Sequence, residues 1–276
     1  MFPFADHALA KRLERTEADA NARFVEARAR WHPAVGAEWI EVAGAYAMFD
    51  GVDSPCTQTF GLAMFAPASG EDLDRIEAFF ARHHSPVYHE TSPLADPALP
   101  QILCDRGYRP VEYSSVLYRS IGPTDPFPEP TDPTTTTRLT APEESALWAT
   151  VSLEGWSEFT EYAAVMAGLA EISARRVDAL AFVAERGGQP IATGALSICD
   201  GVGLLAGAST IPSARRHGAQ LALLAARLRY ASAQGCDVAM MVASPGSSSQ
   251  RNAERHGFRI AYTRTKWGRP AAGATA

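Results

Sequence analysis

The spacing of apolar residues changes period along the chain, and each change marks an element. Residues 6–31 set Leu9, Leu13, Phe24 and Trp31 among interspersed charges, a helical spacing that His32-Pro33 ends. Ile40 to Phe49 alternates like one strand, Asp50-Gly51 signals a turn, and Thr57 to Phe65 reads as a second strand. Ser69 opens a helix, with Asp72 at the capping-box position and Leu73, Ile76, Phe79 and Phe80 along one face. A short strand (Val87 to Glu90), a short helix (Leu99 to Asp105) and a strand after Gly107-Tyr108-Arg109 complete this part.

The texture then breaks. Gly122 to Thr137 reads GPTDPFPEPTDPTTTT, five prolines in sixteen residues, a stiff polar linker without regular structure. This predicts domains at 1–121 and 138–276. Beyond the linker, helical patterns cover Pro142 to Leu153 and Thr160 to Arg176, separated by the loop EGWSEF. Strands follow at Ala179 to Glu185 and Ile191 to Ile198, then a buried strand from Asp237 to Ala243, a short helix from Ser247 to His256 and a strand from Arg259 to Trp267.

The stretch Val202 to Ala233 organises this second half. An uncharged apolar run reaches Ile211, and Pro212 breaks it. A polar turn with Arg215, Arg216 and Gly218 follows, then a helix with Leu221, Leu224 and Leu228 on one face. A strand feeding a helix through such a turn leaves main-chain N–H groups unpaired at the positive end of the helix dipole, a site suited to a pyrophosphate. The halves also share an order of elements. DRGYRPVEYSSVLYR parallels ERHGFRIAYTRTKWGR, with Gly107-Tyr108-Arg109 matching Gly257-Phe258-Arg259, which implies an internal duplication.

Composition narrows the function. The 276 residues are 46% hydrophobic, enough for a sizeable core. No apolar run reaches membrane length and the N-terminus lacks a signal-peptide order, so a cytoplasmic protein without membrane partners is expected. Cys56, Cys104, Cys199 and Cys236 are spaced for neither a metal knuckle nor a redox pair, and the histidines form no ligand motif; no metal is expected. The net charge is −6, but from Gly201 onward ten Lys/Arg face two acidic residues, a balance of +8. A small polyanion fits that asymmetry better than nucleic acid. Gly-Lys-Ser/Thr and GxGxxG motifs are absent, which argues against nucleotide-binding classes.

Ile211-Pro212-Ser213-Ala214-Arg215-Arg216-His217-Gly218-Ala219-Gln220 resembles the acyl-CoA motif of the GCN5-related N-acetyltransferases (GNAT), Arg/Gln-x-x-Gly-x-Gly/Ala, with Pro212 at the usual offset and a Leu-rich helix behind it. Gln220 departs from the small residue at the last position. Gly257-Phe258 resembles the second CoA motif. The resemblance implies an α/β (α+β mixed-sheet) fold of two tandem GNAT-like domains, each a mostly antiparallel splayed sheet flanked by helices, the first degenerate. It implies a pantetheine arm along Ala208 to Ile211, with Ser209, Thr210 and Ile211 in contact. The pyrophosphate would meet the turn formed by Arg215, Arg216, His217, Gly218, Ala219, Gln220 and Leu221, and Ser249 and Asn252 would approach the pantetheine or thiol. The first-half counterpart carries Glu71, Asp72 and Asp74 at its helix start, which repel a pyrophosphate and satisfy the same N–H groups.

The implied activity is transfer of an acetyl group from acetyl-CoA to a primary amine of a small molecule or peptide by direct attack. A main-chain N–H near Thr210 would polarise the thioester. The family's acid is a Tyr four residues before the Gly-Phe glycine, and that position is Ala253. Tyr262 is the substitute candidate. Glu154 and Glu158, in EGWSEF, are the candidate bases, and Trp156, Phe159 and Tyr162 beside them suit a cationic amine. A CoA-binding sensor with little catalysis and an O-acyltransferase are the alternatives, and a homodimer is compatible with either.

Overall fold

The computed structural model describes residues 3–128 and 132–269. Its contacts divide the chain into two compact units out of sequence order: residues 3–118 with 242–269, and residues 119–241. The expected single domain at 138–276 therefore does not coincide with a unit, because the last helix and strand pack with the first half of the chain.

In the first unit, Asp6 caps α1 (His7–Trp31) by accepting from the Leu9 N–H at 2.9 Å. The expected strand from Ile40 to Phe49 is instead a hairpin of β1 (Glu38–Val42) and β2 (Ala45–Phe49). Ala43 and Gly44 turn it with φ of +49° and +79°, the two left-handed residues that match the twist of a tight hairpin. β3 is short (Gln58–Phe60), since the chain turns left-handed at Gly61 and Ala63. α2 (Gly70–Arg82), β4 (Tyr88–Thr91), α3 (Leu99–Asp105) and β5 (Arg109–Ser120) follow. Ala18, Ala22 and Val25 of α1 pack on Met48 and Phe60.

The second unit begins with β6 (Thr135–Leu139), which pairs antiparallel with β7 (Ala179–Arg186). The C-terminal end of the expected linker is thus an edge strand: Thr135, Thr136 and Thr137 are β-branched residues opposite Arg186, Glu185 and Ala184. Residues 129–131 of that linker lie outside the described residues. α4 (Ser145–Glu154), α5 (Ala163–Arg175), β8 (Gln189–Cys199), β9 (Val202–Thr210), α6 (Ala219–Ala233) and β10 (Val238–Ala243) complete the unit. β6 to β9 pair antiparallel in sequence order, and β10 joins β9 in parallel. On β8, Gly194 faces Arg227 of α6, while Ala195 lies with Trp148 of α4 around Gly207, so α6 and α4 cover opposite faces of the sheet. Of the expected leucine stripe on α6, Leu228 is buried and Leu221 and Leu224 are half-buried. Ala222, Leu223, Ala225 and Ala231 are buried with Leu228. Small residues let the helix sit close: a Cβ on Gly203 would lie 3.0 Å from the Ala231 methyl.

The chain then returns to the first unit as α7 (Ser248–Arg255) and β11 (Arg259–Gly268). β11 lies between β4 and β5, antiparallel to both. Its Arg264 is fully buried and donates to Glu14 at 2.7 Å and to Glu17, both on α1. Among the described residues no helix is long and apolar enough to cross a membrane.

Candidate functional site

The site begins where β9 and β10 part. Their parallel ladder covers Val202↔Val238, Gly203↔Ala239 and Leu204↔Met240. β9 continues for six further residues, and Ala206, Gly207 and Ala208 are exposed. On its other edge β9 bulges. Two steps along β8, Thr193 to Ala195, face three along β9, Ser209 back to Ala206. Gly207 makes this possible, since it takes φ +59° in the bulge. Past the bulge the ladder resumes, and the Ile211 N–H donates to the Ile191 carbonyl at 3.0 Å. Antiparallel alternation then turns the Thr210 N–H away from β8, towards the side that β10 has left.

The chain leaves β9 through a single turn, Pro212–Ala214, and two left-handed residues, Arg216 at φ +68° and Gly218 at +75°. Gly218 is the N-cap of α6 and offers no side chain to it. The first helical bond runs from the Ala222 N–H to the Gly218 carbonyl at 3.0 Å. The N–H groups of Ala219, Gln220 and Leu221 therefore start the helix without a side-chain cap, at the positive end of a fifteen-residue dipole. Gln220, the departure from the motif, binds protein: its Nε2 donates to the Ser209 carbonyl (2.8 Å) and to Thr210 Oγ1 (2.7 Å), tying the helix start to the end of β9. Ser209 in turn donates to the Ser152 carbonyl (3.1 Å) and shares a hydrogen bond with Thr193 (3.0 Å). Gly155 seats the end of α4 here; a Cβ on it would lie 2.7 Å from Ser209 Cβ and 3.0 Å from the Thr210 nitrogen.

The expected site residues fall into separate groups. Ser209, Thr210, Ile211 and Arg215 to Leu221 form the continuous strand–turn–helix. Arg215 is turned towards EGWSEF, where it pairs with Glu158 and donates to the Gly155 carbonyl at 3.3 Å. Glu158 thus holds a cation. Glu154 is exposed at the end of α4. Arg216 is exposed, and the half-buried His217 accepts at its carbonyl from Thr135 Oγ1 (3.4 Å). Trp156, Phe159 and Tyr162 are exposed, the first two with rings 5.7 Å apart. Ser249 and Asn252, both exposed, belong to α7 of the other unit.

Tyr262 is a correction. It is buried in the first unit, where its hydroxyl donates to Glu14 Oε1 at 2.8 Å, and burial, reinforced by the Glu14 charge, pushes its phenol well above the ordinary range. Ala253, at the family's acid position, is a buried residue of α7. The basic balance of the last third also divides: Arg251, Arg255, Arg259, Arg264, Lys266 and Arg269 sit in the first unit and leave Arg215, Arg216, Arg227 and Arg229 on the turn and α6.

The start of α2, the expected first-half counterpart, is capped. The Ser69 hydroxyl accepts from the Asp72 N–H (3.1 Å), and Asp72 accepts from the Ser69 N–H (3.0 Å), a complete capping box that occupies the start of α2. Sequence reasoning missed Arg227, a buried cation on α6. Its signal was its place four residues after Leu223, on the same stripe as the core alanines.

Residues 141–258 match the Acetyltransferase (GNAT) family. A GCN5-related N-acetyltransferase from Kribbella flavida shares the fold with a TM-score of 0.62 at 21% identity, over 92% of this chain and 96% of that one. One from Sphaerobacter thermophilus gives 0.53 at 17%, over 77% and 71%. A tandem GNAT protein from the clavulanic acid biosynthesis pathway gives 0.58 at 14%, over 84% and 79%. Among curated proteins none matches. Residues 141–258, which contain the parted strands and the uncapped turn at Gly218, thus match the GNAT acetyltransferase family, and the chain shares the mixed α/β fold of the GCN5-related N-acetyltransferases.

Proposed function

We propose that the turn from Arg215 to Leu221 holds the pyrophosphate of acetyl-CoA, that the pantetheine arm lies along β9 from Ala208 to Ile211, and that the acetyl group moves to a primary amine of a small molecule or peptide. The observation that carries this is the uncapped start of α6 beside the strand edge that β10 leaves. Main-chain donors there suit an anion, and the edge of β9 beyond its ladder with β10 adjoins them.

In this reading the neutral amine nitrogen attacks the thioester carbonyl carbon. The Thr210 N–H receives the charge that develops on oxygen, the carbon–sulfur bond breaks, and the proton shed by the nitrogen ends on the departing sulfur, giving amide and free thiol. Glu154 and Glu158 are the carboxylates at hand for the amine proton, and Glu158 pairs with Arg215 until that arginine turns to the phosphates. We propose further that the first half is a degenerate copy that does not bind CoA, supported by the capping box at Ser69.

A second reading, a CoA-binding module with little catalysis, draws on two observations: Tyr262 is sequestered with Glu14, and the family's acid position is the buried Ala253. Calorimetry with acetyl-CoA tests both together, and absence of binding refutes both. Thiol release on an amine panel separates them: turnover of any amine supports the transferase, and binding without turnover supports the module.

A further inference from the structure

Arg227 enters the sheet from α6 and is 3% exposed. Its Nε donates to the Leu223 carbonyl of its own helix at 3.1 Å. Its Nη1 donates to the carbonyls of Ala195 (3.2 Å) and Ala206 (3.3 Å). Ala195 and Ala206 are register partners, the last pair before the β9 bulge. Among the described residues no carboxylate pairs with this arginine, and burial alone pulls its guanidinium down to about 10. Gly194 makes the room: a Cβ there would lie 2.9 Å from Cζ, 3.0 Å from Nη1 and 3.1 Å from Nε.

A buried cation with no counter-ion is a costly way to fill space, and an apolar side chain of similar size does it without the desolvation penalty. What the guanidinium supplies is donors. A bulge disrupts the ladder and leaves carbonyls without their usual cross-strand partners. Arg227 reaches both strands at that place with one nitrogen. The same bulge leaves Ala206 to Ala208 exposed and sets the path of the chain to Thr210.

We infer that Arg227 is a positioning residue: by bridging the carbonyls of Ala195 and Ala206 it holds the β9 bulge in the shape that presents the Ala206–Ala208 backbone, and the Thr210 N–H beyond it, to the acyl thioester. The inference rests on the acyl-CoA reading of β9. The pyrophosphate turn lies at the other end of that path, beyond the carbonyls that Arg227 holds. Loss of Arg227 therefore alters the chemical step more than the hold on CoA.

The test uses the full chain with Arg227→Met, Arg227→Lys and Gly194→Ala. The last keeps the arginine and pushes its guanidinium off the two carbonyls. Amide hydrogen exchange over residues 205–210 reads the bulge, calorimetry with acetyl-CoA reads the hold, and thiol release reads kcat and KM. In Arg227→Met and Gly194→Ala, exchange over that segment rises about tenfold and kcat falls about 10- to 100-fold, while the Kd for acetyl-CoA moves less than about threefold; Arg227→Lys recovers part of the kcat. The inference is overturned by a cooperatively folded Arg227→Met or Gly194→Ala whose exchange and kcat stay within about twofold of wild type. If Arg227→Met does not fold, Gly194→Ala decides. If the wild-type chain does not bind acetyl-CoA, the functional reading fails and the catalytic part of the inference with it, while the exchange comparison still decides whether Arg227 holds the bulge.

Discussion

The ion pair between Arg215 and Glu158 gives the sharpest handle on the turn, because on the proposed reading the pyrophosphate has to compete with a carboxylate of the same unit. The side chains are 41% and 54% exposed, so the pair is worth about 0.2–1 kcal/mol. If Arg215 must leave Glu158 to meet the phosphates, Glu158→Gln removes that cost and tightens CoA binding by about 1.4- to 5-fold. Arg215→Glu acts in the opposite direction. It deletes a charge-assisted bond to phosphate, worth about 1.5–3 kcal/mol, and weakens binding by about 10- to 150-fold. Arg215→Ala and Arg215→Ala/Glu158→Gln close a cycle with Glu158→Gln and the wild type: without the arginine there is no competition, and Glu158→Gln changes affinity by less than about 1.5-fold. Calorimetry with CoA at two ionic strengths measures all four Kd values, and the gain in Glu158→Gln shrinks at the higher salt as screening weakens the pair. An unaltered Kd in Arg215→Glu means that the turn is not the phosphate site. A Glu158→Gln variant that binds no tighter, beside a weakened Arg215→Glu, means that the carboxylate does not compete and that Glu158 is free to take another role.

Three further outcomes test other parts of the reasoning. Tyr262→Phe removes a buried bond to Glu14 and lowers unfolding stability by about 1.5–3 kcal/mol in chemical denaturation, with kcat unchanged; a fall in kcat without loss of stability restores Tyr262 as a catalytic candidate. Ser69→Ala opens the capping box of α2, costs about 0.5–2 kcal/mol, and leaves the Kd for CoA unaltered; a shifted Kd contradicts the closed first half. Burial lifts the Glu17 carboxyl from the ordinary 4.5 to about 7, against the opposing pull of Arg264. The folded chain then keeps a proton that the unfolded chain releases between those values, so this group's contribution falls as pH rises through that window, by up to about 3 kcal/mol in total, and levels off above it. Melting temperatures from pH 5 to 8 should show that decline in the wild type and a flatter curve in Glu17→Gln; equal slopes refute it.

How much was legible in the sequence followed how local each determinant is. The cap of α2 is decided by residues within one turn, and Ser69 and Asp72 act as their chemistry dictates. The strand–turn–helix around Gly218 is local in the same sense. Ala43-Gly44 was harder, because alanine is a weak signal for a left-handed turn and the flanking residues alternate straight through it. Thr135 to Thr137 read as linker because of the prolines before them; only the partner strand, some fifty residues later, makes them an edge strand. The largest miss has the longest range. β11 pairs with β4 across 174 residues, from Thr91 to Thr265, and no periodicity within β11 says which sheet it will enter. That one pairing takes Tyr262 out of the second unit and makes Arg264 the partner of Glu14 and Glu17.

The two turns that lead into α2 and α6 show why a helix N-terminus alone is not a site. Each supplies unpaired N–H groups and a dipole, and each follows a strand that has a parallel neighbour, β3 beside β4 and β9 beside β10. α2 settles its own start with Ser69 and Asp72. α6 starts with Gly218, which lacks a capping side chain, and is preceded by Arg216 in a left-handed conformation that costs a non-glycine residue about 1–2 kcal/mol. Local stability is forgone twice within three residues, next to the strand edge that β10 leaves. A fold keeps such a combination where something else completes it. An anion on those N–H groups supplies the missing cap, so ligand binding and order at the start of α6 are one equilibrium. Acetyl-CoA should then protect the amides of residues 219–221 against exchange and leave those of residues 70–72 as they are, since Ser69 and Asp72 already cap that helix; equal protection at the two helix starts would remove the distinction on which the donor site rests.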